Sequence, residues 1–467
     1  MSELTAARVA ELARSAGLVI DDGEAARFAA PLTDLLLELE ATARRFEADE
    51  ERATPIPVFA TDPATSYGAF IHRFERLPVG PGPLDGLTVG IKDTIAIRGV
   101  PRTRGRKDGW DRPVKDATVV ARILAAGGRI VGTLNLDAWS ASATGEGSEF
   151  GIIENPRAAN HLVGGSSAGA GAALAAGLVD LAIGTDTAGS ARIPASWCGV
   201  FALKPSHGAI PSDGVIGLDP SLDDVCPMAR TLADCASLFA VLAGSPADST
   251  SSAQRAGIIR GIEQDYDADG AAAVGEAVSR LTAAGWVVSE VDIPLWRSAW
   301  LIESMLLTTS VPHLARTGWQ GRWLPGAERP MSWDPRPPQL VTLWILAVEA
   351  LGDRANDYYR AAQRHRQLLS EQVRIVFNSV DLILTPTTPT VAPRRAPVEK
   401  GSLLATASGA ATAVTTSTLT TPANLTGIPA LAVPIGETAE GLPRSVQIHA
   451  PSGREAWLFE AATHIAG

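Results

Sequence analysis

Residues 164–204, GGSSAGAGAALAAGLVDLAIGTDTAGSARIPASWCGVFALK, constrain the fold more than any other part of this chain. The small residues of 167–177 predict a helix able to pack very close to its neighbours, and 181–184 reads as a short strand. That strand runs into a second loop ending in Gly189-Ser190. A hydroxyl placed there has the backbone N–H groups of Thr187, Ala188, Gly189 and Ser190 within reach of one point. A nest of this kind can hold an oxyanion, and removing one such donor typically costs about 3–4 kcal/mol. The plainer reading is that these glycines only permit tight turns.

Around this core the pattern alternates between strands and helices. Residues 87–91 read as a strand ending at Lys92, 117–126 as a helix and 129–134 as the next strand, with short strands resuming at 381–384, 430–434 and 445–449. This order predicts α/β architecture with helices on both sheet faces. The first sixty residues stand apart. Thr5 can cap a helix carrying Val9 and Leu12 that stops at Gly17. Asp21 and Glu24 then make a capping-box start for a second helix bearing Phe28, Leu32, Leu35, Leu36 and Leu39, in which Pro31 is either a kink or part of the true first turn. The expected organisation is an N-terminal helical segment over 1–60 and a catalytic domain over 61–467. Within that domain, 286–344 holds seven of the eleven tryptophans. These either wall a pocket suited to an apolar acyl group or pack an outer helical layer.

Composition narrows the class of activity. At 467 residues and 46% hydrophobic the chain has ample material for a core, and its net charge of −11 argues against nucleic acid or an anionic membrane as partner. Three cysteines give no disulfide framework, and no CxxC or HExxH pattern suggests a metal. The opening MSELTAARVAELARS does not read as a secretory signal, so a cytoplasmic location is expected.

The segments GGSSAGAGAALAAG and GTDTAGSARIPASWCGV, with the upstream GIKD at 90–93, resemble the amidase-signature family. The likeness continues through SLDDVCPMARTLADCASL to TPANLTGIPALAVPIG and GLPRSVQI, covering about four-fifths of the chain. It implies one large mixed β-sheet surrounded by helices and an amidohydrolase that uses no cofactor. It also implies Ser190 as nucleophile, Ser166 after a cis peptide bond as proton bridge, Lys92 as base, and support from Ser167, Asp186 and Arg192. Two positions depart from the family's usual glycine, Ala168 and Ala188. The implied reactants are a small-molecule amide and water, and a homodimer is compatible with the sequence. Ser140, Thr144 and His161 are the expected pocket residues by position. The family also contains glutamine-hydrolysing amidotransferase subunits and esterase-, carbamate- and allophanate-type hydrolases, which remain alternatives.

The chemistry of such a triad can be argued on its own terms. A serine hydroxyl needs a base to take its proton, and lysine serves only when neutral. Its pKa must therefore fall about 3 units from its free value, through burial, and Asp93 must point away from it. A rival reading takes Gly165-Ser166-Ser167-Ala168-Gly169 as a G-x-S-x-G nucleophile elbow, with Ser167 attacking and His449 or His464 as base.

Overall fold

The computed structural model describes residues 4–48, 54–59, 66–108, 111–244, 254–317, 338–396 and 415–466. The chain divides into two compact units, Met1–Arg52 and Ala53–Gly467. The first is a helical hairpin of α1 (Ala6–Ser15) and α2 (Asp22–Ala48). The Thr5 hydroxyl accepts from the Arg8 N–H at 3.3 Å, Asp21 and Glu24 satisfy each other's backbone N–H groups, and Gly17 leaves α1 at φ +70°. Pro31 lies inside α2 rather than in its first turn.

The second unit is built on one 11-stranded mixed sheet in the order β1-β3-β2-β4-β6-β5-β10-β11-β9-β7-β8. In chain order the strands are β1 (Phe70–Arg76), β2 (Thr88–Lys92), β3 (Arg129–Leu134), β4 (Leu181–Asp186), β5 (Phe201–Lys204), β6 (Asp224–Ala229), β7 (Arg255–Ile259), β8 (Val287–Val291), β9 (Leu382–Pro386), β10 (Ala430–Glu437) and β11 (Pro443–His449). Strand β2 runs parallel to β3 and β4, whereas β4 pairs antiparallel with β6 and β10 with β11.

Strand periodicity sorts the core between the two faces. On β4, Leu181 and Ile183 join the layer formed with α3 (Thr118–Ala125), α6 (Leu232–Ala243), α7 (Ala268–Ala283) and α12 (Glu455–Ala466), while Ala182 points to the opposite layer. That opposite layer contains α4 (Ala168–Ala175) and α5 (Arg192–Cys198). Farther along, α8 (Ala299–Thr317), α9 (Gln339–Leu351), α10 (Arg354–Val376) and α11 (Thr421–Thr426) enclose a second apolar cluster with Trp139, Ile383 and Ala430. Small residues in α4 are required by proximity: a Cβ on Gly169 would overlap the Ala69 carbonyl. This close packing brings the start of α4 onto the sheet beside β2 and β4.

The tryptophan-rich region divides. Trp286 and Trp296 are core residues, Trp344 is half-buried against the second cluster, and Trp319, Trp323 and Trp333 lie outside the described residues. Among the described residues, no helix is long and apolar enough to cross a membrane.

Candidate active site

Three chain segments meet at the C-terminal ends of β2 and β4. Parallel pairing of Ile91 with Ile183 sets these strands side by side, so Lys92 emerges next to the end of β4. Its Nζ lies 2.8 Å from Ser166 Oγ and 2.8 Å from Thr185 Oγ1. The peptide bond between Gly165 and Ser166 is cis. Ser167, at the head of α4, donates its N–H to the Ser190 carbonyl at 3.0 Å, which ties the GGSS turn to the Gly189-Ser190 loop. Lys92 and Ser166 are fully buried, but Ser190 keeps 6% of its surface exposed. Of the three, only Ser190 retains exposed surface.

Burial pushes the Lys92 amine down to about 7, against opposing attraction from Asp137, Asp186, Cys226 and Asp223. Asp93 turns away as its neighbour's neutrality requires: one carboxylate oxygen accepts from the N–H groups of Thr103 and Arg104 and from the Thr103 hydroxyl. An amine brought to about 7 and held against a serine hydroxyl has the arrangement of a general base.

Asp186 organises the loop that carries Ser190. Its carboxylate accepts from Gly189 N–H at 2.7 Å, from Arg192 Nε and Nη2 at 2.9 Å each, and from Asn424 Nδ2 at 2.9 Å. Burial alone would raise its pKa, but the Arg192 guanidinium beside it holds the carboxyl well below the usual range. Arg192 in turn donates to Thr420 O, Gln447 Oε1 and Asn424 Oδ1. The four expected donors are engaged differently. The Gly189 N–H is taken by Asp186, whereas among the described residues the N–H groups of Thr187, Ala188 and Ser190 have no acceptor. Three of the four expected amides are thus left without an internal acceptor among the described residues. The Thr187 side chain is itself tied to Asp223, with 2.6 Å between Oγ1 and Oδ1.

Gly189 has φ +120°, and a Cβ there would overlap Thr420 Oγ1, whose hydroxyl donates to the Ala188 carbonyl. We therefore expect Gly189→Ala to cost about 1–3 kcal/mol in stability, read from the urea midpoint. We also expect it to slow acylation of Ser190 by an active-site electrophile at least about 100-fold, since the amides flanking it would move. An unaltered acylation rate would show that the loop tolerates the displacement.

The expected pocket residues are distributed unequally. Ser140 is buried in the 3-10 turn Ala138–Ser140 with φ +59°, and among the described residues its hydroxyl has no partner. Thr144 pairs with Ser142 at 3.1 Å, in a loop whose Ala143 carbonyl accepts the Gly165 N–H at 2.9 Å. Ser140 and Thr144 thus belong to the loop bordering Ser166. His161 is instead anchored by Nδ1 to Ala159 O and by a backbone bridge to Arg394. The nucleophile-elbow alternative finds no partner residues among those described. Ser167 Oγ donates to Thr185 O at 3.1 Å, His464 is exposed on α12, and His449 is buried edge-on against Trp296 with both ring nitrogens unpartnered. Burial also holds His449 well below its ordinary pKa. The three cysteines are free and buried, with Cys198 pushed up to about 12. No group of three or more His, Cys, Asp or Glu side chains among the described residues is placed to hold a metal ion.

Sequence reasoning missed Thr185, Thr420, Asn424, Gln447 and Asp137. Asn424 and Gln447 lie within TPANLTG and GLPRSVQI, so the resemblance contained a signal for them, but their contacts with Arg192 span more than two hundred residues of sequence.

The profile of the family described as Amidase matches residues 72–459, which include Lys92, Ser166 and Ser190. The chain belongs to the Amidase family. This amidase-family chain is 34% identical over 431 residues to a glutamyl-tRNA(Gln) amidotransferase subunit from Natronomonas pharaonis, covering 85% of this chain and 99% of that one. Among solved structures, the corresponding subunit of Thermotoga maritima is similar at a TM-score of 0.72 and 27% identity, over 86% of this chain and 88% of that one. The 6-aminohexanoate cyclic dimer hydrolase is similar at a TM-score of 0.71 and 27% identity, over 99% and 96% respectively. These likenesses agree with the mixed sheet described above.

Proposed function

We propose that this amidase-family chain hydrolyses the C–N bond of a small-molecule amide through an acyl-enzyme on Ser190. The observation that carries the reading is the fully buried Lys92 amine, brought to about 7 and set 2.8 Å from Ser166 Oγ. In this mechanism Ser190 Oγ attacks the substrate carbonyl as its proton passes to Ser166, and the Ser166 proton passes to Lys92. The tetrahedral oxyanion takes hydrogen bonds from the Thr187, Ala188 and Ser190 amides. The relay then returns the proton to the departing amine as the C–N bond breaks. Water, deprotonated through the same relay, attacks the acyl group and restores the Ser190 hydroxyl. Esters and carbamates fit the same acylation step.

Glutamine hydrolysis within an amidotransferase is the second reading, favoured by the similarity to the glutamyl-tRNA(Gln) amidotransferase subunits. Among the described residues, three buried or half-buried cations of this part of the fold are engaged internally. Arg192 holds Asp186, Lys204 holds Asp224, and Arg366 donates to Leu425 O and Ser221. Beside Thr421 lies the buried Glu303, which burial pushes well above the usual carboxylate pKa.

The test is a panel of neutral amides, esters and L-glutamine given to the isolated chain, with mass spectrometry of the acylated serine. We expect turnover of neutral amides with acylation at Ser190. Turnover confined to glutamine, or appearing only with added partner subunits, would move the assignment to the second reading. The pH dependence follows from the sign of the Lys92 shift. The amine is protonated below about pH 7 and neutral above it, so kcat/KM should rise through that region and level off by about pH 8. A flat profile between about pH 6 and pH 9 would remove Lys92 as the base.

A further inference from the structure

Asp137 lies in the LNLDAW segment just after β3 and is fully buried. Its Oδ1 accepts the Gly147 N–H at 2.6 Å and its Oδ2 the Gly145 N–H at 3.0 Å, so the carboxylate folds the loop containing Ala143 back on itself. That loop holds Gly165 through the bond from Gly165 N–H to Ala143 O at 2.9 Å. The carboxylate also rests directly on the Gly165 backbone, because a Cβ at that position would overlap Asp137 Oδ2. An acid that forms no ion pair among the described residues therefore sits against the residue preceding Ser166, whose hydroxyl lies 2.8 Å from Lys92 Nζ.

The other groups facing Lys92 are differently placed. Asp186 is paired with Arg192, Asp223 receives the Thr187 hydroxyl, and burial keeps the Cys226 thiol neutral. Asp93 is turned to the 103–104 turn. Asp137 is the largest charge opposing the burial of Lys92, and the charges acting on Asp137 are Lys92 and, in the opposite sense, Glu146. Burial brings Asp137 up to about 6, close to Lys92 at about 7.

We propose that Asp137 is a positioning residue of the relay, which as an anion clamps the 143–147 loop against Gly165-Ser166 and supplies the counter-charge to Lys92. This rests on the reading of Lys92 and Ser166 as the relay to Ser190. Its consequence is a base whose readiness depends on two neighbouring protons rather than one. Near neutrality the anion keeps Lys92 able both to take the serine proton and to hold it until the amine leaves.

The test uses a fluorophosphonate probe, which needs no knowledge of the substrate: Ser190 Oγ bonds to phosphorus, fluoride departs and the serine proton goes to the relay. Labelling rates are measured against pH for the full-length protein and for Asp137→Asn, with Lys92→Ala as reference. Loss of the anion should move the acid limb of the labelling profile to lower pH by about one unit, because Lys92 then loses its proton more easily. The limiting rate should also fall as the loop loses one acceptor. In the unsubstituted protein, two required deprotonations give a limiting slope approaching two below about pH 6, a reading that stands even if Asp137→Asn fails to fold. An unmoved limb in folded Asp137→Asn, or a slope of one in the unsubstituted protein, overturns the role of Asp137 while leaving the triad intact. If the probe misses Ser190, or labels Lys92→Ala at the full rate, the relay reading itself falls and takes this inference with it.

Discussion

Replacing Ser190 by alanine is expected to lower kcat by roughly 10⁴- to 10⁶-fold and to abolish covalent labelling, with the fold preserved. The size follows if Ser190 Oγ is the atom that bonds to substrate, as proposed, while the backbone amides of the loop remain in place. Lys92→Ala should approach the same loss, since the serine protons then have no acceptor of suitable basicity. The double variant should be little worse than either single one, because both belong to a single relay. Substantial turnover in Ser190→Ala, measured on any substrate accepted by the parent chain, would place the nucleophile elsewhere. Folding is checked by far-UV circular dichroism. Removal of the small Ser190 side chain breaks none of the hydrogen bonds around Asp186, so structural loss is not expected to confuse the result.

Asp186→Ala should act through stability. Asp186 and Arg192 are both fully enclosed, and the alanine would leave a buried guanidinium with only the uncharged acceptors of Thr420, Gln447 and Asn424. Removing one partner of a buried pair costs about 3–5 kcal/mol, a loss that urea unfolding would read as a lower midpoint. The N–H of Gly189 would lose its acceptor as well, freeing the loop beneath Ser190. Asp186→Asn should lie between the two, since one amide oxygen can still accept from Gly189 or Arg192. A midpoint within about 1 kcal/mol of the parent would mean that Asn424 and Gln447 hold Arg192 unaided.

Local chemistry made much of the sheet legible. The strand expected over 87–91 is β2, Thr88–Lys92, and the helix over 117–126 is α3, Thr118–Ala125. The strand expected to stop near residue 184 continues to Asp186, because antiparallel pairing with β6 extends to Asp224. That pairing is non-local, so nothing in 181–186 announces it. The expected helical hairpin owes its visibility to capping, since both of its starts are written in residues three apart. The tryptophans were harder to place. The expected alternatives were a pocket wall or an outer helical layer, and Trp286 and Trp296 instead sit in the core through packing that composition does not encode.

The sequence by itself determined the chemical identity of the candidate relay. A buried strand end at Lys92, a GGSS turn and a GTDTAGS loop name one amine and two hydroxyls, and the family likeness orders them. The tertiary structure alone decided the environment in which they meet. Burial sets the Lys92 basicity, Asp186 takes up the Gly189 amide, and Asp137 reaches the peptide before Ser166. These are effects of desolvation and of charges brought together from distant parts of the chain. Their strength depends on separations of a few ångströms that only the folded sheet and its loops define.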